Sequence, residues 1–468
     1  MKGLAMRVLK RIALTLCAAS MAGCAVAGPT AAPTSSTAPA GELGTVEKPL
    51  SDLHKGIQAG WDATANAKVE LADQHAPEGQ KALKVDLSPG PYPGFAYEFK
   101  SQDWSPYEAV RLTIFNLGND LKLSCRVDDA NSKNYATRFN SDIPFYLGKG
   151  KNDLEVSIAA LRQGNLFSRG IDVTKIRSVR FFVSDLKSDT AFCVSNVRLV
   201  AKEGGARTTA IADFAAGSPT RFEAHSGANV AVEDSPSGAG RALKVAISGG
   251  QYPGVTLAGF GGDWLGYDLL AFDITAAKGD QLPGSVSYKI TDSNGRKMTF
   301  STSLSENEGK VAMPVEMAGQ LSLGQIREIA VFFEGAAGRT VYLSNLRLTR
   351  LGRVDYPSVH GADAKEAGVK LDFTPLAALG KNSVYMNMLL VPLDGGKTRV
   401  VRCNSEVKGI VQYAVPAGAL DGCPKGSTIP VWGYLTEHGV WHYRQTTLKL
   451  EGQLPLTVTF DDAARFNH

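Results

Sequence analysis

Histidine is rare in this sequence, at 7 of 468 residues, and no pattern of catalytic residues is recognisable. The chain has no nucleophile elbow, no glycine loop of the kind that holds phosphate, and no four ligands with zinc spacing. The neighbouring carboxylates Asp128 and Asp129 would face opposite sides of a strand, so they cannot act together on one glycosidic bond. We therefore predict a protein that is not an enzyme and that uses no cofactor or metal.

An excess of charge of one sign is also missing once the N-terminus is set aside. The chain has 50 Lys and Arg against 46 Asp and Glu, and residues 1–23 contain four basic and no acidic side chains. The remainder is formally neutral, so it has no overall field that would attract a polyanion. This balance argues against nucleic acid as a partner.

The apolar run near the N-terminus is too short to span a bilayer. It follows basic residues and precedes small ones, which predicts an export signal over residues 1–23. The segment Met21–Cys24 resembles a bacterial lipobox, which implies that Cys24 is lipidated and anchors the protein to a membrane. The Ala25 that follows implies sorting to the outer membrane, facing the periplasm or the cell surface. The alternative is an ordinary cleaved signal with a free Cys24.

Residues 24–47 are rich in Ala, Pro, Ser and Thr and show no apolar periodicity. Such a segment cannot bury enough surface to offset the entropy of ordering it. We predict a flexible tether between the anchor and the folded part.

Strong helical periodicity is missing from the rest of the chain, whereas glycine is plentiful, at 49 residues. That combination predicts many short strands joined by turns. A long repeat organises them, because KALKVDLSPGPYPG at residues 81–94 returns 160 positions later as RALKVAISGGQYPG. Further along, SNVRL returns as SNLRL. We predict a duplicated domain, with copy one at 48–201 and copy two at 208–350.

The strands of each copy have one apolar face. Val110, Leu112 and Ile114 alternate with Arg111 and Thr113, as in a strand that is buried on one side. A sheet with one apolar face must be covered by another, so the predicted closure is a β-sandwich. The predicted fold class is all-β.

The third region, residues 367–468, reads as seven short strands and does not align with the two copies. Seven strands in about 100 residues predict an immunoglobulin-like β-sandwich. His438 and His442 have the spacing of a zinc pair on a helix, but their strand-like surroundings argue against a metal. We interpret this segment as hairpin packing or as a surface for a protein partner.

Four cysteines lie beyond the N-terminal segment, an even number for an exported chain: Cys125, Cys193, Cys403 and Cys423. Cys125 aligns with Tyr288 of copy two. Cys193 aligns with Tyr342, so both cysteines are replaced together, as contacting partners would be. We predict a Cys125–Cys193 disulfide and a second one between the other two cysteines. Separate buried thiols are the alternative for the first pair.

Several motifs of copy one carry a family resemblance: GQKALKV, YPG, DWSPY, EAVRLTIFN and FCVSNVRL. Together with their counterparts in copy two, they resemble jelly-roll carbohydrate-binding modules with a galactose-binding-like fold. The resemblance covers about two thirds of the chain. It implies a jelly-roll sandwich in each copy and a polysaccharide or other glycan as partner, although a fold alone does not define a function.

One position departs from the family pattern. The closing strand of these modules usually carries an Asp before the Asn, and that Asp often helps to bind a structural calcium. This chain has Ser195 and Ser344 instead. Because a neutral hydroxyl is a poorer ligand for a hard cation than a carboxylate, we predict no calcium in either copy.

A binding site is expected where the copies differ. Copy one has a run of carboxylate, amide, guanidinium and aromatic groups that copy two lacks in part, and such groups bind sugar hydroxyls and stack on sugar rings. The predicted carbohydrate-binding residues are Asp128, Asp129, Asn131, Asn134, Tyr135, Arg138 and Asn140. The same run also suits a plain hairpin turn, because Asp, Asn and Ser favour turns.

The aromatic residues that both copies keep are interpreted as structural. Trp104 and Trp264 begin aligned strands, where a packed core is the expected role. The repeated YPG is interpreted as part of the frame, with Pro and Gly setting a turn.

The leading functional hypothesis is a non-catalytic outer-membrane lipoprotein that binds a glycan through copy one. The alternative is a structural or assembly factor of the cell envelope that engages a protein partner through the third region.

Overall fold

The structure is a computed structural model that describes residues 47–50, 52–55, 60–141, 144–164, 169–201, 206–212, 214, 220–225, 227–238, 240–260, 262–304, 308–357, 359–360, 366–374, 384–404, 412–437, 440–451 and 454–460. The predicted export signal, Cys24, nearly all of the predicted tether and His438 lie outside these residues. Within them, no helix has the length and apolar character needed to cross a membrane.

Copy one consists of short strands and one short helix. Its strands are β1 (Glu47–Pro49), β2 (Trp61–Ala63), β3 (Ala67–Ala72), β4 (Ala82–Leu87), β5 (Gly90–Pro91), β6 (Gly94–Gln102), β7 (Tyr107–Asn116), β8 (Leu121–Asp129), β9 (Phe139–Asn140), β10 (Phe145–Leu147), β11 (Gly150–Ser157), β12 (Ile176–Phe182), β13 (Asp185–Leu186) and β14 (Thr190–Ala201). The helix is α1 (Ile158–Gln163), and 3-10 turns span Asp52–Lys55 and Tyr135–Thr137.

Copy two repeats this pattern with fewer strands. They are β15 (Arg207–Ala210), β16 (Arg221–Ala224), β17 (Ala228–Asp234), β18 (Arg241–Ile247), β19 (Gly254–Ala258), β20 (Leu269–Ala276), β21 (Ser285–Asp292), β22 (Lys297–Ser303), β23 (Lys310–Pro314), β24 (Ile326–Phe332) and β25 (Thr340–Arg350). Its 3-10 turns span Val315–Ala318 and Leu323–Gln325.

The remaining strands follow copy two. They are β26 (Arg353–Asp355), β27 (Val359–His360), β28 (Ala367–Asp372), β29 (Val384–Leu393), β30 (Lys397–Asn404), β31 (Gln412–Pro416), β32 (Thr428–Glu437), β33 (Val440–Lys449) and β34 (Leu456–Thr459). Two more 3-10 turns span Asp394–Gly396 and Ala417–Leu420. The protein is all-β, as predicted.

The two copies have the same strand order. In copy one, sheet A runs β3-β4-β14-β7-β11 and sheet B runs β2-β6-β12-β8-β10. In copy two, sheet C runs β17-β18-β25-β20-β23 and sheet D begins β16-β19-β24-β21-β22. Along these five-strand paths, sheets C and D have the same strand order as sheets A and B. The repeat in the sequence is therefore also a repeat in the topology, although the predicted domain boundaries themselves stay predictions.

The strand registers agree as well. Cys193 on β14 lies opposite Lys84 on β4, and Tyr342 on β25 lies opposite Lys244 on β18. These are the residues that the sequence alignment of the copies equates.

Sheets A and B close over one apolar core. Val110, Leu112 and Ile114 on β7 are buried, whereas Arg111 and Thr113 between them are half-buried on the outer side. The predicted alternation is confirmed, and it places one face of the strand in the sandwich.

The third region has the predicted seven strands, β28 to β34, in two facing sheets around a core of its own, but one of these sheets is continuous with sheet D of copy two. Strand β33 pairs in parallel with β22, from Thr299 opposite Val440 to Thr302 opposite Tyr443, and sheet D continues through β32, β29, β30 and β26. One face of these added strands joins the core of copy two, and the other packs on a three-stranded sheet, β31-β28-β34. The sandwich of the third region is therefore joined to copy two, because the open edge of β22 is used for pairing.

The third region also covers the edge of sheet C. Ala312 on β23 faces Ala271 of β20 across the ladder. Its N–H donates to Gln445 Oε1 at 3.0 Å, and its carbonyl oxygen accepts from Trp432 Nε1 at 3.0 Å. Two side chains therefore satisfy backbone groups that a further strand would otherwise pair.

The predicted Cys125–Cys193 disulfide is wrong, since both residues are free thiols. Cys125 points from sheet B into the core of copy one. Cys193 lies between Phe192 and Val194, which both point into that core, so its own side chain is on the outer face of sheet A. Sheet A separates the two thiols, which cannot approach as a disulfide requires.

The predicted Cys403–Cys423 disulfide is also absent. Cys403 is buried in the core of the third region, and burial raises the pKa of its thiol to about 12. Cys423 is half-buried at the margin of that core, with Sγ 3.9 Å from the Pro424 carbonyl oxygen.

We predict that a buried tyrosine pair couples copy two to the third region. Tyr288 Oη and Tyr443 Oη lie 2.8 Å apart. Tyr288→Phe and Tyr443→Phe each leave one buried hydroxyl without this partner and are expected to lower the free energy of unfolding by about 1–3 kcal/mol. The double variant is expected to cost about 1 kcal/mol less than the sum of the single changes, as measured by urea unfolding.

Tyr342→Phe serves as the control, because Tyr342 lies on the outer face of sheet C. Its effect is expected to add to that of Tyr443→Phe. Additive behaviour of Tyr288→Phe and Tyr443→Phe would contradict the coupling.

Candidate functional site

The outer surface of sheet B in copy one is polar. On β8, Cys125 and Val127 point into the core, so Arg126 and Asp128 point outward. On β12, Ser178 lies opposite Asp128, and Arg180 lies opposite Arg126. We call this surface the polar face; it carries Glu98, Arg126, Asp128, Asn140, Ser178 and Arg180.

Ion pairs and hydrogen bonds hold both carboxylates of the polar face. Arg126 Nε donates to Asp128 Oδ1 at 3.0 Å, and Arg126 Nη2 lies 2.8 Å from Asp128 Oδ2. Ser178 Oγ donates to Asp128 Oδ2 at 3.0 Å. Arg180 Nη2 donates to Glu98 Oε1 at 2.8 Å. The face is thus a fixed network of donors and acceptors.

Arg138 and Tyr135 lie at the border of this face. The Arg138 guanidinium lies 5.3 Å from the centre of the Tyr135 ring, within range of a cation–π interaction, and Tyr135 is 54% exposed. Burial lowers the pKa of Arg138, and the guanidinium groups of Arg126 and Arg180 lower it further. Arg138 therefore lies within electrostatic range of the polar face and stays charged near neutral pH.

Asp129 has a different role from Asp128. Its carboxylate is buried and accepts from Arg169 Nη2 at 2.6 Å and Nη1 at 2.9 Å, and from the N–H groups of Asp172 at 2.7 Å and Asn131 at 2.9 Å. Burial opposes ionisation, but these hydrogen bonds outweigh it and lower the pKa of Asp129 to about 2. Asp129 anchors the turn that follows β8.

The seven predicted residues therefore separate into two groups. Asp128 and Asn140 lie on the polar face, with Tyr135 and Arg138 at its border. Asp129, Asn131 and Asn134 belong to the turn: the Asn131 N–H donates to Asp129, and the Asn134 carbonyl oxygen accepts from the Thr137 N–H at 3.2 Å. Whether the residues bind a glycan stays a prediction.

Three residues of the face escaped the sequence analysis: Arg126, Ser178 and Arg180. The signal was present in the alternation of β8 and β12. Once Asp128 is chosen, Arg126 is the next residue on the same side of the strand. Ser178 and Arg180 can be placed on the face only when β12 is known to pair with β8, and the sequence alone does not give that pairing.

The polar end of sheet B is not reproduced in copy two. Register places Thr291 where copy one has Asp128, Lys289 where it has Arg126, and Ala330 where it has Arg180. Asp292, by contrast, keeps the anchoring role of Asp129, accepting from the N–H groups of Asn294 and Ser322 at 3.0 Å each. The anchor is common to both copies, and the polar network is specific to copy one.

An aromatic pair marks the far end of the same surface. Phe182 follows Arg180 on the outer side of β12, and the exposed Tyr92 ring meets it edge-on at 5.6 Å between centroids. Tyr252 and Phe332 repeat the arrangement in copy two, at 6.4 Å. The tyrosine of the YPG motif is thus exposed, in contrast to the purely structural role predicted for it.

The glycine of that motif is needed for close packing. Gly94 has no room for a side chain, because a Cβ there would lie 2.0 Å from the Phe181 carbonyl oxygen. Gly254 is equally close to the Val331 carbonyl oxygen. Trp104 and Trp264 are fully buried, which confirms their predicted core role.

A cavity of about 670 Å³ lies where the two copies and the third region meet. Charged side chains from all three parts line it and pair with one another: Glu108 with Arg350, Asp268 with Arg353, and Glu316 with Arg402. Because each of these charges has a partner of opposite sign, we infer that the pairs hold the parts together. No cluster of three or more His, Cys, Asp or Glu suited to a metal occurs in the described part of the chain.

No protein-family profile and no curated protein matches the chain. Among solved structures, it is similar to the family 11 carbohydrate-binding module from Clostridium thermocellum in complex with a beta-1,3-1,4-mixed-linked tetrasaccharide, with 18% identity, 33% of this chain and 95% of that chain covered, and a TM-score of 0.27. A CBM22-1–CBM22-2 tandem domain from Paenibacillus barcinonensis matches with 13% identity, 64% and 95% coverage, and a TM-score of 0.23.

An exo-beta-agarase is 14% identical, with 33% of this chain and 24% of that chain covered and a TM-score of 0.28. The chain thus spans about a quarter of that enzyme. These likenesses concern the sandwich fold alone.

We predict that Asp129 stabilises copy one in a pH-dependent way. Its pKa is lowered on folding, so its contribution is present above about pH 4, where the unfolded group ionises, and is lost as pH falls toward 2. Asp129→Asn is expected to lower the free energy of unfolding by about 2 kcal/mol at pH 7, and the difference should shrink below pH 4. Urea unfolding of both proteins across this range checks it; a difference that does not change with pH would contradict it.

Proposed function

We propose that this protein binds a glycan through the polar face of copy one and does not cleave it. The observation that supports the proposal is the meeting of fixed polar groups with an exposed aromatic ring. Asp128, Arg138 and Tyr135 supply an acceptor, a donor and a stacking surface, which are the groups that recognise sugars. The jelly-roll type of binding module suggested by the sequence agrees with this placement.

Both carboxylates on the face favour binding over catalysis. A glycosidase needs two carboxyl groups that flank the scissile bond, one of them acting as the acid. The oxygen atoms of Asp128 and Glu98 are instead each engaged by a guanidinium group of the face. Their proposed role is therefore to orient hydroxyl groups, with Arg126 and Arg180 holding the carboxylates in place.

We further propose that the protein is exported and attached to the outer membrane through lipidated Cys24. The lipobox-like segment and the small-residue tether support this part of the proposal. Copy two and the third region would then act as a rigid spacer, since they share one continuous sheet.

The proposal is tested with the chain from residue 24 onward on an array of envelope and plant polysaccharides, followed by calorimetry. Tyr135→Ala and Asp128→Ala are each expected to weaken binding at least tenfold, because the first removes the stacking surface and the second removes the carboxylate that holds Arg126 and Ser178 in place, each worth about 1.5–3 kcal/mol. Sugar release by the purified protein would overturn the non-catalytic assignment.

Lys289→Ala and Thr291→Ala are the matched controls, since they change the equivalent positions of copy two. They are expected to leave glycan affinity unchanged. Absence of binding to the whole array by a folded protein would overturn the proposal.

A further inference from the structure

We propose that the glycan bound at the polar face is acidic and presents uronate carboxylates to Arg138 and its neighbours. This inference rests on the proposed function and names the class of glycan. It follows from the guanidinium group of Arg138, which has no carboxylate partner, from the exposed ring next to it, and from a comparison with copy two.

Arg138 differs from the other two guanidinium groups of this surface. Arg126 pairs with Asp128, and Arg180 pairs with Glu98. Arg138 forms no ion pair within the described residues, and its guanidinium group lies over the face of the Tyr135 ring. Of the three guanidinium groups, Arg138 is therefore the one without a carboxylate partner.

Two guanidinium nitrogens are also unpartnered. Nε of Arg138 and Nε of Arg180 are buried and have no hydrogen-bond acceptor in the described part of the chain. Because these atoms are buried, a ligand would contact the guanidinium groups at their Nη atoms. An anionic oxygen makes a stronger hydrogen bond to a guanidinium group than a neutral oxygen does.

Repulsion within the cluster favours an anion over a neutral hydroxyl. Burial lowers the pKa of Arg138, and the like charges of Arg126 and Arg180 lower it further, against the opposing effect of Asp128. A ligand carboxylate beside Arg138 would add to the effect of Asp128. The planar fork of a guanidinium also matches both oxygens of a carboxylate, which a lone hydroxyl cannot provide.

The aromatic neighbour suits a sugar acid in particular. Tyr135 exposes about half of its surface beside Arg138. A sugar acid that packs against the exposed part of Tyr135 would lie next to the guanidinium group. The combination of a stacking surface and an adjacent cation distinguishes a uronic acid from both a neutral sugar and a simple anion.

Copy two provides an internal comparison. Its equivalent positions carry Lys289 in place of Arg126 and Ala330 in place of Arg180. The Lys289 ammonium instead lies over the Phe332 ring, at 5.4 Å. The guanidinium cluster is thus specific to copy one, and the inference assigns acidic-glycan binding to that copy alone.

The test compares polymers with the same backbone in charged and neutral forms. The full exported chain is titrated by calorimetry with polygalacturonate, alginate and glucuronoxylan, with the methyl-esterified or carboxyl-reduced form of each, and with neutral glucans and mannans. Binding to a uronate polymer that falls at least tenfold after esterification or reduction supports the inference. It should also weaken as ionic strength rises from about 0.05 M to about 0.5 M.

Other results separate the inference from the proposed function. Binding only to neutral polymers, or equal binding to both forms, overturns the acidic class and leaves glycan binding in place. Binding to none of the polymers overturns both.

Arg138→Gln is expected to reduce affinity for the uronate polymer at least tenfold, and Arg138→Lys is expected to retain part of it. Lys289→Gln is the control and should leave affinity unchanged. Thermal unfolding of each variant verifies that it is folded. An Arg138→Gln variant that is folded and binds the charged polymer as tightly as the parent would refute the role of Arg138.

Discussion

The arrangement of copy one, copy two and the third region depends on the contacts of the Arg353 guanidinium group. It lies on β26, just after copy two, and pairs with Asp268 Oδ1 at 3.0 Å and with Asp355 Oδ1 at 2.8 Å. It also donates to Gln163 Oε1 of copy one at 3.2 Å, while Gln163 Nε2 donates to the Val400 carbonyl oxygen of the third region at 2.9 Å. Burial opposes the charge, but Asp355 and Asp268 raise the pKa of Arg353. Because a charge withdrawn from water must keep all its partners, the three parts are held in one arrangement.

The edges of the sheets are used differently in the two copies. In copy two, β22 is paired by β33, and the backbone of Ala312 on β23 is capped by side chains of the third region. In copy one, sheet B ends in the short strands β9 and β10, which leave room for the turn that carries Tyr135 and Arg138. The same edge thus serves as a joint in copy two and borders the candidate site in copy one.

The sequence predicts those features that depend on local pattern. Alternation on β7 and the alignment of Cys193 with Tyr342 both agree with the structure. The disulfide prediction was wrong because the replacement of both cysteines by tyrosine in copy two does not show on which side of a sheet each residue lies. The apolar neighbours of Cys193 did indicate its side. The pairing of β22 with β33 was not predicted, because the sequence of an edge strand does not indicate which strand pairs with it. Asp128 and Arg138 were predicted because they lie in one stretch of sequence. Arg180 was not, because only strand pairing brings it close to them.

The joint between β22 and β33 has a consequence for the order in which the molecule matures. Copy one closes its core with strands that end at Ala201, whereas copy two obtains Trp432 and Tyr443 from strands near the C-terminus. A chain that leaves the ribosome N-terminus first can therefore complete copy one early. The core and the β22 edge of copy two stay incomplete until β33, close to the C-terminus, has emerged. During that interval chaperones would meet exposed edges of copy two but not of copy one.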